Sequence, residues 1–143
     1  MAGINVLLVD DEVPFVEAIT KRLTKRKLAI TAAYDGQQAL TTLESEGGIE
    51  VVILDVKMPG MDGIETLRRI KAEHPLVEVI MLTGHATVES AIEGMKLGAF
   101  DYLMKPCDID LLVSKVSEAA ARKQAQEEKI MQARLREITG RRD

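Results

Sequence analysis

Five polar residues stand at or just past the ends of short apolar runs. Asp10 and Asp11 follow INVLLV, Asp55 follows VVIL, Thr83 follows VEVIML, and Lys105 follows FDYLM. The runs are short and rich in Val, Ile and Leu, as expected of strands buried in a parallel sheet. A carboxylate at the end of a buried strand costs free energy unless something pairs with it. If the strands lie parallel, their carboxyl ends share one edge and these groups converge there. Three carboxylates about 4 Å apart repel by roughly 4 kcal/mol per pair at an effective dielectric near 20. A divalent cation together with an ammonium offsets that charge. Oxygen donors with spare water positions suit Mg²⁺, and Lys105 is the natural ammonium. This convergence assumes that the first and third strands are neighbours.

The elements that must hold these residues can be read in order. A strand over Ile4–Val9 precedes a helix with Pro14 in its first turn and Phe15, Ile19 and Leu23 along its apolar stripe. Leu28–Ala33 reads as a second strand. Asp35 with Gln38 forms a capping pattern for a helix closed by Gly47-Gly48. Val51–Leu54 is the third strand, followed by loop residues Pro59, Gly60 and Asp62-Gly63. Asp62 with Glu65 starts a helix that ends before His74-Pro75. Val77–Leu82 is a fourth strand. Thr87 caps a helix whose expected inner face is Ala91, Ile92 and Met95. Phe100–Met104 is a fifth strand. Asp108 caps a last helix with the stripe Ile109, Leu112, Val113, Val116 and Ala119-Ala120.

Strand and helix alternate five times, which predicts an α/β fold with right-handed crossovers. With the flavodoxin-like strand order 2-1-3-4-5 taken as an assumption, the expected architecture is a doubly wound five-stranded parallel sheet. It has helices on both faces and an extended C-terminal helix. In that order the first and third strands meet at the switch point, where such sheets bind ligands.

Composition narrows the function. The 143 residues carry a net charge of −4, and aromatics are 3% with no Trp. That argues against direct nucleic-acid binding and against base-stacking platforms. The charge is uneven: residues 1–120 hold 12 Lys/Arg and 19 Asp/Glu, whereas 121–143 hold 7 and 4. One cysteine, Cys107, leaves no partner for an internal disulfide and no Cys-based zinc site. No signal peptide and no membrane-length apolar run is read, so a soluble cytoplasmic setting is expected.

Four stretches, VLLVDDE, ILDVKMPGMDG, VIMLTGHA and GAFDYLMKPCD, come in order at fitting separations over about residues 4–120. With them the chain resembles a response-regulator receiver domain of two-component signalling, the CheY-like family. The wording TVESAIEGMKLGAFDYLMKP is similar to receivers of the NtrC type, which an ATPase and a DNA-binding domain usually follow. These 143 residues contain neither.

The resemblance implies roles. Asp55 is the phosphoacceptor for a sensor histidine kinase. Asp11, Asp55 and the backbone carbonyl of Lys57 hold Mg²⁺, with Asp10 acting through a metal-bound water. Lys105 bridges to phosphoryl oxygens and Thr83 donates its hydroxyl. Thr83 and Tyr102 form the switch, which reshapes the face of the fourth helix, fifth strand and fifth helix. A cis peptide bond is implied before Pro106. Catalysis is confined to self-phosphorylation and autodephosphorylation, so the protein is not an enzyme acting on an external substrate. Lys57 and His85 flank the path of hydrolytic water and are expected to tune phosphate lifetime.

Plainer readings exist for each residue alone. Asp10-Asp11 can cap a helix, Thr83 can be a turn hydroxyl, Lys105 a solvated charge and Tyr102 simple packing. Their joint arrival at successive strand ends decides for the site. An aspartyl phosphatase of the haloacid-dehalogenase kind needs a second Asp where Lys57 stands. A pseudo-receiver lacks part of the acid–Thr–Lys set, which is complete here. Flavin binding lacks its Ser/Thr-rich loop.

The expected organisation is a receiver domain over residues 1–121 and a helical extension or linker over 122–143. The output is control of a partner or homodimerisation on phosphorylation, through the switching face or the C-terminal helix. The alternative is a receiver fragment of a larger NtrC-type transcription activator.

Overall fold

The computed structural model describes residues 3–140. The ends of the two expected segments, residues 1–2 and 141–143, lie outside the described residues. The strands are β1 (Asn5–Val9), β2 (Ala29–Ala33), β3 (Val51–Leu54), β4 (Glu78–Thr83) and β5 (Asp101–Met104). The helices are α1 (Val13–Lys25), α2 (Gly36–Ser45), α3 (Gly63–Glu73), α4 (Val88–Lys96) and α5 (Ile109–Gly140). All strands are parallel in the order β2-β1-β3-β4-β5. That is the flavodoxin-like order assumed above in bringing the first and third strands together.

Side-chain alternation along the strands builds two cores. Val9, Val52, Leu54, Val79 and Met81 point to the side covered by Leu40, Leu67 and Ile70 of α2 and α3. Leu8, Ile53, Ile80 and Leu82 point to the side covered by Val16 and Leu23 of α1 and Leu112 and Val116 of α5. Each such fully buried side chain contributes about 1.5–3 kcal/mol relative to leaving it in water. With both faces covered, every β3 and β4 residue is buried, so neither strand shows polar alternation.

The helix starts follow their capping residues. Asp35 accepts from Gln38 N–H at 2.8 Å, and Asp62 accepts from Glu65 N–H at 2.9 Å. Thr87 and Ser90 form a reciprocal capping box on α4. Asp108 accepts from Asp110 N–H at 3.4 Å, a longer bond.

Gly63 opens α3 directly beneath the site: its N–H donates to Val56 O at 2.7 Å. A Cβ there would collide with the Asp55 carbonyl. Gly63→Ala is therefore expected to cost about 1–3 kcal/mol, the usual penalty for forced overpacking. A urea unfolding midpoint reads this loss, and an unchanged midpoint would show that the α3 entry yields freely.

One expectation fails. Ile92 and Met95, placed on the inner face of α4 by their hydropathy, are 52% and 47% exposed, as is Val88 at 72%. The buried residue is Gly94, beside Tyr102 and Met81. The face of α4 turned to the sheet is the one carrying Gly94, with space there for a methyl group but not for a bulky side chain, and the larger apolar residues are left outward.

The last helix is continuous for 32 residues, about 48 Å at 1.5 Å per residue. Its buried stripe is Leu112, Val116, Ala119 and Ala120. Beyond it the exposed apolar residues are Ile130, Met131, Leu135 and Ile138. No helix among the described residues is long and apolar enough to cross a membrane.

Candidate functional site

Register places the site. Val9 pairs with Leu54, so Asp10 and Asp55 leave the sheet side by side at the carboxyl edge. Their backbone N–H groups still belong to it: Asp10 N donates to Ala33 O at 3.1 Å, and Asp55 N to Val9 O at 3.0 Å. On the other side Thr83 pairs with Met104, and Lys105 N donates to Thr83 O at 2.9 Å. The Lys105–Pro106 peptide is cis, as the resemblance implied.

Asp10 and Asp55 are buried, while Asp11 is exposed. One ligand oxygen from each of the three lies within 4.8 Å of the others. Both oxygens of Asp10 are engaged: Oδ1 accepts from Glu12 N–H at 2.9 Å and Oδ2 from Lys105 Nζ at 2.6 Å. Asp55 Oδ1 accepts from Val56 N–H at 2.8 Å, and Oδ2 lies 3.8 Å from Lys105 Nζ. The crevice beside Asp55 is about 460 Å³, lined by Asp11, Glu12, Asp55, Lys57, Met58, Pro59 and His85.

Lys105 is only 13% exposed and has more partners than the strand ends alone foretold. Glu12 Oε1 accepts from its Nζ at 3.1 Å, and the Phe15 ring centroid lies 4.0 Å from it. Burial alone would lower the pKa of this ammonium. The hydrogen bonds to Asp10 and Glu12 and the charges of Asp10 and Asp55 outweigh burial and raise it. Burial likewise raises the Asp10 carboxyl above its ordinary value. The Lys105 and Glu12 hydrogen bonds oppose that rise without cancelling it, and the Asp55 charge adds to it. The edge therefore concentrates negative charge that one ammonium only partly offsets.

Thr83 is fully buried, and its hydroxyl accepts from His85 N–H at 3.0 Å. That bond uses a lone pair and leaves the hydroxyl proton for another acceptor. Tyr102 is partly buried against the α3-side core, and its hydroxyl lies 2.5 Å from Ser90 Oγ. The structure thus assembles Asp10, Asp11, Asp55, Thr83 and Lys105 on one edge, with Lys57 in the crevice wall and Tyr102 behind it. Glu12, Phe15 and Ser90 were not read from sequence as site residues. Glu12 belongs to the same acidic run as Asp10, which is the only local signal any of them carries.

A flavodoxin-like parallel sheet with clustered acids, a hydroxyl and an ammonium at its carboxyl edge defines a receiver-type signalling module. The family described as response regulator receiver domain matches residues 6–117. Transcriptional regulatory protein ZraR of Escherichia coli K12 is 38% identical over 119 residues, 83% of this chain and 27% of that protein. DNA-binding transcriptional regulator NtrC of Klebsiella pneumoniae is 36% identical over 121 residues, 85% of this chain and 26% of that protein. A crystal structure of a response regulator receiver domain protein from Clostridium thermocellum superposes with a TM-score of 0.82 at 35% identity. That match covers 86% of this chain and 98% of that one. The chain belongs to the response regulator receiver domain family. It spans about a quarter of the length of these curated relatives. Receivers act as phosphorelay modules whose catalysis is confined to their own phosphorylation and dephosphorylation.

Proposed function

We propose that Asp55 is the phosphoacceptor, and that this receiver serves a transcription regulator of the NtrC type. The observation that carries the first part is Asp55 itself: a buried strand-end carboxylate bordering an open crevice, with Lys105 Nζ 3.8 Å from Oδ2. An Asp55 oxygen forms a P–O bond as the P–N bond of a kinase phosphohistidine breaks. The bonding pair stays on the imidazole nitrogen. Lys105 and the Thr83 hydroxyl would stabilise the charge that develops on the transferring group, where preorganised donors lower a barrier most.

The acid cluster fits Mg²⁺. Its donors are all carboxylate oxygens, close enough to share one ion, and they lie beside a crevice with room for water. Asp11 and Asp55 would hold the ion with the Lys57 carbonyl. Asp10, whose oxygens already have protein partners, would act through water. When bound, Mg²⁺ neutralises carboxylate charge and polarises phosphoryl oxygens.

The second part rests on the curated relatives, which are transcriptional regulators several times longer than the matched region. This favours the larger-activator reading over a stand-alone regulator. Residues 1–121 would then be the receiver and 122–143 its helical connection. The exposed Val88, Ile92 and Met95 of α4 and the apolar residues of the α5 extension would make homodimer contacts on phosphorylation.

Incubation with Mg²⁺ and acetyl phosphate tests the site by intact mass. Wild type should gain one phosphoryl group, releasing acetate, and lose it again in mild base. Asp55→Asn should gain none; equal labelling would displace the site. Light scattering on the labelled sample should show a larger mass, and an unchanged monomer would remove the dimer.

A further inference from the structure

We infer that Ser90 is a positioning residue for Tyr102, joining the switch ring to the N-terminal cap of α4 through a hydroxyl latch. The inference rests on the function proposed above and concerns how that site is read out.

Proton counting gives the direction of the bond. Ser90 Oγ lies 3.2 Å from Thr87 N, 3.0 Å from Thr87 Oγ1, 3.1 Å from Thr87 O and 2.5 Å from Tyr102 Oη. A serine hydroxyl has one proton and two lone pairs. The Thr87 carbonyl can only accept, so it takes the Ser90 proton. The Thr87 N–H can only donate, so it occupies one lone pair. One lone pair remains for two hydroxyls. Thr87 is exposed and can turn its proton to water, whereas Tyr102 is partly buried. Tyr102 therefore donates to Ser90, and its ring position and the first turn of α4 form one hydrogen-bonded unit.

Two features connect this unit to the site. Ser90 and Thr87 line a crevice with Val56, Lys57 and His85, the residues flanking Asp55 and Thr83. One turn further on, Gly94 faces the same ring: a Cβ there would make ordinary van der Waals contact, 3.7 Å from Tyr102 Cδ2. In this same arrangement the Thr83 hydroxyl has its proton available to a phosphoryl oxygen. On this inference the latch favours the arrangement in which the Thr83 proton is free to donate. Neither a phosphate contact nor a metal contact by Ser90 is needed.

The test is calorimetric titration of the full 143-residue chain with beryllofluoride in Mg²⁺, an analogue of the aspartyl phosphate. Ser90→Ala and Tyr102→Phe should each weaken binding about 3- to 10-fold, the worth of one hydrogen bond. The double variant should be no weaker than the weaker single one, and Ser90→Thr, which keeps the hydroxyl, should restore affinity. Thr87→Ala removes only the Thr87 hydroxyl and keeps the Ser90–Tyr102 bond, so its effect should multiply with that of Tyr102→Phe. Multiplying effects of Ser90→Ala and Tyr102→Phe would overturn the latch, as would tighter or unchanged binding by Ser90→Ala. Absence of beryllofluoride binding by wild type would overturn the proposed function and the latch with it.

Discussion

Lys105→Met is expected to slow phosphorylation by acetyl phosphate about 10²–10³-fold, the usual loss when one preorganised charge-stabilising donor is removed. Methionine keeps much of the length over Phe15 but carries no charge. The variant also leaves the buried Asp10 without the ammonium now 2.6 Å away. Removing one partner of a buried pair costs about 3–5 kcal/mol. Here the loss should fall at or below the lower end, because the exposed Glu12 side of the ammonium is open to water. The raised folded pKa of Lys105 sets the pH window. Stability from this ammonium is fully present below its ordinary value of 10.5 and is lost as pH rises through the folded value. Urea unfolding at neutral pH therefore reads all of it. Mg²⁺ should recover more stability in the variant than in wild type, since a second cation then replaces the first. A variant labelled at the wild-type rate would remove Lys105 from the reaction.

The second large effect is metal withdrawal. Chelation should slow labelling of Asp55 about 10³-fold, because charge stabilisation by a divalent ion is worth several kcal/mol and each 1.4 kcal/mol is about tenfold in rate. Re-addition of Mg²⁺ should restore the rate. Ca²⁺ prefers longer bonds and more ligands and should restore it poorly. Thermal unfolding gives an independent reading. At ten times its dissociation constant the ion should stabilise the fold by about 1.4 kcal/mol, a rise of roughly 3–6 °C for a chain of this size. Asp11→Asn should abolish that rise while leaving the exposed position structurally undisturbed. Equal stabilisation of both proteins would place the ion elsewhere.

Both effects concern residues that periodicity exposes readily. Val51–Leu54 is an unbroken apolar run because β3 is covered on both faces, and Asp55 interrupts it because the chain there leaves the core. The same logic locates Asp10, Thr83 and Lys105. Helix caps at Asp35, Asp62 and Thr87 were equally legible, since capping is a local contact three residues long. The orientation of α4 was not. Hydropathy turns Ile92 and Met95 inward, whereas close packing at Gly94 turns them out. A glycine contributes little to a hydrophobic stripe, so hydropathy does not mark the face it occupies as the buried one.

By itself, then, the sequence determined where strands end, what chemistry stands at those ends, and which family the chain resembles. These follow from short-range patterns of burial and capping. Only the tertiary structure decided which groups touch. Lys105 reaches Asp10 across 95 residues and Glu12 across 93, and it rests on a ring from α1 that reads locally as core. Tyr102 meets Ser90 because α4 lies close against β5. Such contacts depend on strand order and helix rotation, which are set by how the two cores pack, and no local pattern encodes that packing.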